Sequence, residues 1–270
     1  SEGLRIAAEN NRLIKMAEQE ELIAGTHTLI ARSSMFPDIN ASVNQTWLSN
    51  QPGAIFGAQS VHTSEKDFYS YGLHVQQTLY DFRKNASKYE ASKAITNTRR
   101  LDTVRIRNMV ALDFVTGYFD LLEAGKMLRV AEKEVERLES HYQLAMILFN
   151  EGVITKNDLL QAEVRISDAR QKLLTAQNLG AIMVSRLNNI LARPLKEDIE
   201  AVDMDGPSYD ISSLDFEKAC EAAEKQRAEV EIVNETLKSL DLTERSFRAE
   251  YYPVVFAKGG YDYTENRYQL

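Results

Sequence analysis

Two long heptad repeats, separated by a short turn, constrain this chain more than any other feature of its sequence. No proline occurs between Asp81 and Pro194, and the stretch up to Phe149 has the length and composition of one helix. At about 1.5 Å per residue, its roughly 68 residues would extend about 100 Å, more than the width of a globular core. The sequence therefore predicts a rod.

Both halves of this region place an apolar or small residue at alternating spacings of three and four. The first seam comprises Val110, Phe114, Gly117, Leu121, Ala124, Leu128, Ala131, Val135, Leu138, Tyr142, Ala145 and Phe149. The second comprises Leu159, Ala162, Ile166, Ala169, Leu173, Ala176, Gly180, Met183, Leu187 and Ile190. This spacing is the mark of coiled-coil packing, so we expect two helices in contact along their length.

A break at residues 150–156 separates the two seams. Gly152 suits the left-handed position that follows a helix, and Thr155 with Asp158 resembles a capping box in which Asp replaces Glu. Helices joined by so short a turn pack antiparallel. The prediction is a helical hairpin over 81–192 with its tip at this break.

The hydrophobic period changes to two in a pair of upstream segments, which predicts the strands of a β-hairpin over 36–80. The apolar parity holds Ile39, Ala41, Val43, Trp47, Tyr69, Tyr71, Leu73 and Val75. The polar parity holds Asn40, Ser42, Asn44, Ser70, His74 and Gln76. Between the strands we expect a long loop from Ser49 to Asp67, rich in Gly, Ser, Gln and His.

A third alternating segment recurs at a fixed distance from the first. Pro37 follows a helix predicted over 1–35, and Pro253 follows a helix predicted over 228–252; the two prolines are 253 − 37 = 216 residues apart. Such a recurrence indicates a duplicated unit. The remaining regions are a connector over 193–227 and the start of a second hairpin over 253–270, so we expect one complete repeat and the beginning of another.

Composition excludes several classes of function. The net charge of −8 argues against a nucleic-acid partner, and the single cysteine, Cys220, can form no internal disulfide. We find no nucleophile, phosphate-loop or dinucleotide motif, so we predict no enzyme and no cofactor. The histidines lack ligand spacing, which predicts no metal site; they are His27, His62, His74 and His141.

Several short motifs follow one another in a fixed order, at Asn10–Leu13, Ala31–Pro37, Gln77–Asp81, Phe149–Leu160 and Leu187–Ala192. Together they resemble the outer membrane efflux protein family, the TolC-like class. The resemblance implies a mostly α fold with a β-hairpin, in which long antiparallel coiled-coil α-hairpins form a periplasmic tunnel. It also implies a homotrimer whose strands build one shared transmembrane β-barrel in the outer membrane of a Gram-negative cell envelope.

The same resemblance implies a passive export conduit, the outer-membrane component of a tripartite efflux or type I secretion system. Its partners would be a periplasmic adaptor (membrane fusion) protein and an inner-membrane pump. The adaptor would dock at the tip residues Gly152, Val153, Ile154 and Thr155. Helices 1–35 and 228–252 would belong to the tunnel, and the connector to its equatorial region.

In such a barrel the apolar parity of the strands would face outer-membrane lipid, and the polar parity would face the water-filled lumen. A two-stranded hairpin cannot stand in lipid with open edges, so this interpretation requires closure with other copies. Trp47, Tyr69 and Tyr71 lie near the loop ends of their strands, where aromatic belts meet the membrane interface.

Other interpretations of the same patterns remain open from the sequence alone. The heptads also fit a structural or scaffolding coiled-coil protein of the cell envelope, and the strands also fit a half-buried sheet on a soluble domain. A surface enzyme with a coiled-coil stalk is a third alternative.

Overall fold

The computed structural model describes residues 2–56, 59–203 and 215–266. In these ranges the helices are α1 (Glu2–Asn10), α2 (Arg12–Ser33), α3 (Lys84–Asn150), α4 (Lys156–Ile190), α5 (Phe216–Gln226) and α6 (Ala228–Ala249). The strands are β1 (Asp38–Trp47), β2 (Gly53–Phe56), β3 (Gln59–His62), β4 (Asp67–Tyr80) and β5 (Val255–Thr264). The predicted fold class, long antiparallel helices with a small antiparallel sheet, is confirmed.

Three strands form an antiparallel sheet in the order β1-β4-β5. Its register pairs Val43 with Tyr71 across β1 and β4, and Tyr71 with Tyr263 across β4 and β5. Directly opposed residues of antiparallel strands share a face, so the alternating pattern continues across all three strands.

The segment from Ser49 to Asp67 differs from the irregular loop that the sequence predicts. Strands β2 and β3 pair there as a small separate hairpin, from Gly53 opposite His62 to Phe56 opposite Gln59. Each strand has only four residues, which is too short for a period-two pattern to stand out among small and polar neighbours.

The chain divides into two compact units, of which unit 1 comprises Ser1–Gln19 with Leu101–Glu229. Its α3 and α4 run antiparallel, because Arg186 bonds Asp120 at 2.8 Å whereas Arg170 bonds Glu139 at 2.6 Å. All residues of both predicted heptad seams are buried or half-buried in this hairpin. At its base, α1 and the start of α2 complete a core formed by Ala7, Ile14, Val110, Leu121, Leu187 and Leu191.

Two buried asparagines hold the end of α4 in place. Asn11 interrupts the single helix that the sequence predicts over 1–35: its Nδ2 donates to the carbonyl of Ile190 at 2.9 Å, and its Oδ1 accepts the Leu13 N–H. Asn188 is fully buried, and its Nδ2 donates to the carbonyl of Glu197 at 2.6 Å. These amides satisfy main-chain carbonyls that the helix end and the connector leave unpaired.

Unit 2 comprises Glu20–Arg100 with Val230–Leu270. Here α3 lies between α2 and α6: Thr28 bonds Ser92 and Thr96 at 3.1 and 2.9 Å, and Lys84 bonds Glu250 at 2.9 Å. The helices thus follow the same order as the strands to which they connect, α2-α3-α6 beside β1-β4-β5. Small buried residues fill the helix contacts, among them Ala24, Ala31, Ala91, Ala94 and Ala249.

The internal duplication extends to the position of a helix break. α1 and α5 end 226 − 10 = 216 residues apart, α2 and α6 begin 228 − 12 = 216 apart, and they end 249 − 33 = 216 apart. The two breaks use different residues, Asn11 and Arg227. The first is buried and hydrogen-bonded to α4, whereas Arg227 is exposed.

We predict that Asn188→Ala destabilises the chain by about 1–3 kcal/mol, because it removes the donor to the Glu197 carbonyl inside the core. The matched control is Asn189→Ala, since the neighbouring asparagine is exposed and should change stability by less than about 0.5 kcal/mol. Urea unfolding followed by circular dichroism measures both variants. Equal destabilisation would contradict a specific role for the buried amide.

Candidate membrane face and helical tip

The apolar face of the three-stranded sheet is uncovered. Val43 is 68% exposed, Leu73 51% and Trp47 80%. On the central strand the ordinary burial pattern is inverted, because the apolar parity is exposed while Ser70, Gly72 and His74 are half-buried. A sheet in water buries its apolar face, so this face is suited to an apolar surrounding.

The register brings most of the predicted lipid-facing residues together on this face. Ile39 lies opposite Val75, Ala41 opposite Leu73 and Val43 opposite Tyr71. Trp47 and Tyr69 lie beyond these pairs, opposite Asp67 and Gln45, so the apolar surface ends there. Strand β5 extends it with Tyr261 and Tyr263, which lie opposite Leu73 and Tyr71.

Tyrosine rings form a row at the loop end of this face. The Tyr71 ring lies 6.4 Å from that of Tyr69 and 6.3 Å from that of Tyr263, in stacked orientations. The Tyr71 hydroxyl donates to Glu265 at 3.4 Å. Rings with an apolar body and a bonded polar tip are typical of a boundary between an apolar medium and water.

The predicted lumen-facing residues lie together on the opposite face. Asn40 is paired with His74, Ser42 with Gly72, Asn44 with Ser70, and Asp38 with Gln76. His74 Nε2 lies 3.0 Å from Asp262 Oδ1. The imidazole passes over Gly260, where a Cβ atom would overlap the ring, so a larger residue there would displace the His74 side chain.

A second aromatic cluster, which the sequence analysis missed, lies where the strands meet the helices. The Phe82 ring stacks on Tyr252 at 4.7 Å and meets Tyr80 edge-on at 4.8 Å, and all three are exposed. Phe82 and Arg83 have positive φ angles of 51° and 66°, a strained turn for residues with a Cβ. The signal in the sequence was the aromatic residues flanking Asp81 and preceding Pro253.

The tip of the hairpin is fixed from both sides. Gly152, at φ 73°, donates its N–H to the Phe149 carbonyl, and Val153 donates to Leu148, which together close α3 in a Schellman motif. The capping box that the sequence predicts for α4 is present: the Asp158 N–H donates to Thr155 Oγ1, and the Thr155 N–H donates to Asp158 Oδ2.

The tip carries an ionised carboxylate and a mostly exposed turn. Hydrogen bonds from the Thr155 hydroxyl and then from its backbone N–H hold the pKa of Asp158 below its usual value. Gly152, Val153 and Thr155 are exposed and Ile154 is half-buried, so the four predicted docking residues lie together on a short turn. Val153, 68% exposed, is the main apolar surface of the turn.

The described ranges contain neither a cluster of metal ligands nor a helix that could cross a membrane. No group of three or more His, Cys, Asp or Glu side chains there could hold a metal ion. None of the helices in those ranges is both long enough and apolar enough to cross a membrane.

Solved outer-membrane channels share this fold of long antiparallel helices and antiparallel strands. The CmeC outer membrane channel of Campylobacter jejuni matches with a TM-score of 0.80 at 16% identity, over 100% of this chain and 61% of that one. The open-state MtrE channel of Neisseria gonorrhoeae matches with a TM-score of 0.69 at 16% identity, over 97% of this chain and 62% of that one. CusC matches with a TM-score of 0.74 at 17% identity, over 97% of this chain and 59% of that one.

A family model described as Outer membrane efflux protein matches residues 3–193. The chain belongs to the outer membrane efflux protein family, whose members are outer-membrane channels with a periplasmic helical tunnel and not enzymes. No curated protein sequence matches the chain. The chain spans about three-fifths of the length of the three solved channels.

We predict opposite effects of alanine at two glycines of the helical hairpin. Gly152→Ala should destabilise it by about 1 kcal/mol, because a Cβ disfavours the positive φ although no atom lies within 4 Å. Gly180→Ala, which also meets no atom within 4 Å but lies inside α4, should stabilise it by about 0.5–1 kcal/mol. Thermal unfolding compares the two variants, and a shift of the same sign in both would contradict the assignment of the turn.

The capping box predicts a measurable change in the pKa of Asp158. Because the folded pKa is lowered, the stabilisation is complete above the unfolded pKa and is lost as the pH falls through the folded one, below the ordinary value of 3.8. The pKa of Asp158 can be followed by NMR across this range through the backbone amide of residue 155. It should rise towards 3.8 in Thr155→Ala and rise less in Thr155→Ser, which keeps the hydroxyl. A pKa unchanged by Thr155→Ala would contradict the box.

Proposed function

We propose that this chain belongs to a homotrimeric outer-membrane channel that acts as the exit conduit of a tripartite efflux or type I secretion system. Substrates would pass through the tunnel and barrel without chemistry, and energy would come from an inner-membrane pump. The observation that carries the proposal is the bare apolar face of the sheet β1-β4-β5.

The open edges of the same sheet support oligomerisation. β1 and β5 each pair with β4 on one side, which leaves the outer edge of each strand without a partner in the described ranges. In lipid, every unpaired N–H and C=O costs several kcal/mol, so strands cross a membrane only in a closed barrel. Closure would require further strands, and we propose that other copies of the protein supply them around a shared twelve-stranded barrel.

The spacing of the two aromatic clusters fits the thickness of an outer membrane. Tyr71 and Tyr80 are nine residues apart on β4, about 30 Å along a strand at roughly 3.3 Å per residue. With a tilt of about 40° this becomes about 23 Å, close to the roughly 25 Å apolar band of outer-membrane barrels. We therefore assign the Tyr69–Tyr71–Tyr263 row and the Tyr80–Phe82–Tyr252 cluster to the two interfaces.

The faces of the sheet then take the orientation predicted from the sequence. The face that holds Val43 and Leu73 would contact outer-membrane lipid, and the face that holds His74 and Asp262 would line the aqueous lumen. Helices over 1–35, 81–192 and 228–252 would form the tunnel wall across the periplasm, with 193–227 as the equatorial connector. A scaffolding coiled coil, the alternative function, would leave the bare apolar face without a partner.

The tip at Gly152–Thr155 is the proposed docking site for a periplasmic adaptor protein. A rigid turn that presents an exposed apolar residue between two fixed helix ends is suited to insertion into a groove on another protein. The main-chain bonds at Gly152 and the capping box at Thr155 would hold Val153 in one orientation before the adaptor arrives.

We predict that Val43→Asp blocks assembly of the trimer in the outer membrane whereas Asn44→Asp does not. The first change places a charge on the lipid face, at a cost of about 1–2 kcal/mol per copy, and the second places the same charge on the polar face one residue away. The amount of trimer in isolated outer membranes measures both. Equal amounts for the two variants would refute the proposed orientation of the sheet.

A further inference from the structure

A basic groove lies between α3 and α4 a short distance from the tip. We define it by Arg137 and His141 on α3 and by Gln161 and Arg165 on α4, with Leu138, Ala145 and Ala162 as its floor. Its volume is about 360 Å³. The wall residues lie four apart on each helix, so both helices turn one polar edge towards the same opening.

The groove departs from the charge pattern of the rest of the hairpin. Farther from the tip, arginines of α4 face acids of α3, as in the 2.8 Å Arg186–Asp120 and 2.6 Å Arg170–Glu139 bonds. Nearest the tip, Arg165 shares the groove with Arg137 and His141 instead. Within the described ranges, neither Arg137 nor Arg165 forms a salt bridge with any acid of the chain.

Asp158, the one carboxylate among the described residues that line the groove, is already engaged. Asp158 accepts hydrogen bonds from the Thr155 hydroxyl at 2.7 Å and from the Thr155 N–H at 2.9 Å, as part of the capping box. The groove is thus locally basic in a chain whose net charge is −8. Two guanidinium groups that line one opening favour the approach of an acidic group from outside.

We propose that the basic groove binds an acidic side chain presented by a helix of the partner protein that docks at the tip. This inference rests on the proposed function and specifies the chemistry of the partner that docks at the tip. The apolar floor suits the methylene groups of a glutamate, and the two guanidinium groups suit its carboxylate, which arginine binds through paired hydrogen bonds.

The position and shape of the groove favour a helix over a free anion. Ala145 and Gly152 are seven residues apart on α3 and the adjoining turn, about 10 Å at roughly 1.5 Å per residue. A partner helix held at the tip and lying along the hairpin would therefore reach the groove within two of its own turns. Its lining residues extend over about two turns of each helix, from Arg137 to Ala145 and from Asp158 to Arg165, as a docked helix requires.

The test uses the full chain and two fluorescent alanine-based helical peptides of equal length. One peptide carries glutamates at two positions four residues apart, and the other carries glutamines there. We expect the glutamate peptide to bind the wild-type chain at least about tenfold more tightly by fluorescence anisotropy, the effect of a hydrogen-bonded charge pair. This preference should disappear in the double variant Arg137→Gln/Arg165→Gln.

Arg129→Gln is the matched control, because Arg129 is an exposed arginine of α3 whose guanidinium donates to its own helix, at the Gly125 carbonyl. It should keep the preference for the glutamate peptide. Equal binding of the two peptides by the wild type, or an equal loss in the control, would overturn the proposal. The proposal would also be overturned if the double variant self-associated less than the wild type in sedimentation while its peptide binding stayed the same. A second copy of the chain would then be the occupant of the groove.

The peptide measurement does not depend on insertion into a membrane. A negative result together with the expected difference between Val43→Asp and Asn44→Asp would reject the basic groove and leave the channel in place. If the peptide preference is observed but the two strand variants assemble equally, the basic groove stands and the proposed channel orientation is rejected.

Discussion

The need to satisfy backbone hydrogen bonds beside an apolar surface determines most of this structure. The sheet β1-β4-β5 has an apolar face that no described helix covers and two strand edges that no described strand pairs. Lipid would be a favourable surrounding for the face but not for the edges, so the channel that we propose would need both a membrane and further strands. The polar face, with His74 and Asp262 in contact over Gly260, would then line water.

The helical part follows a different constraint, that of close contact between long helices without a thick core. In unit 2, alanine and serine fill the contacts and hydroxyls such as Thr28 and Ser92 bond across them, so the helices approach closely while their outer faces stay exposed. In unit 1, the larger core at the base of the α3–α4 hairpin is supplemented by the amides of Asn11 and Asn188. Towards the tip, precise turn chemistry replaces core packing.

Sequence reasoning succeeded where an element depends on the spacing of residues that lie close together in the chain. The heptad seams, the capping box at Thr155 and the period-two strands each depend on local spacing, and all three are present in the structure. It failed where the cause lay far along the chain. The break at Asn11 depends on a carbonyl 179 residues away, the cluster at Phe82 depends on Tyr252, and the basic groove depends on which residues of α4 face Arg137. None of these leaves a periodic signal.

The orientation of the sheet can be measured directly, because Trp47 is the only tryptophan of the chain and lies at the loop end of β1. In liposomes of brominated lipid, its fluorescence reports contact with the acyl chains, and the bromine position reports depth. A lipid-facing Trp47 at the interface predicts strong quenching by bromines near the headgroup and weaker quenching by bromines near the bilayer centre. Quenching by aqueous iodide alone, with no effect of either lipid, would contradict the proposal that this face of the sheet meets the membrane.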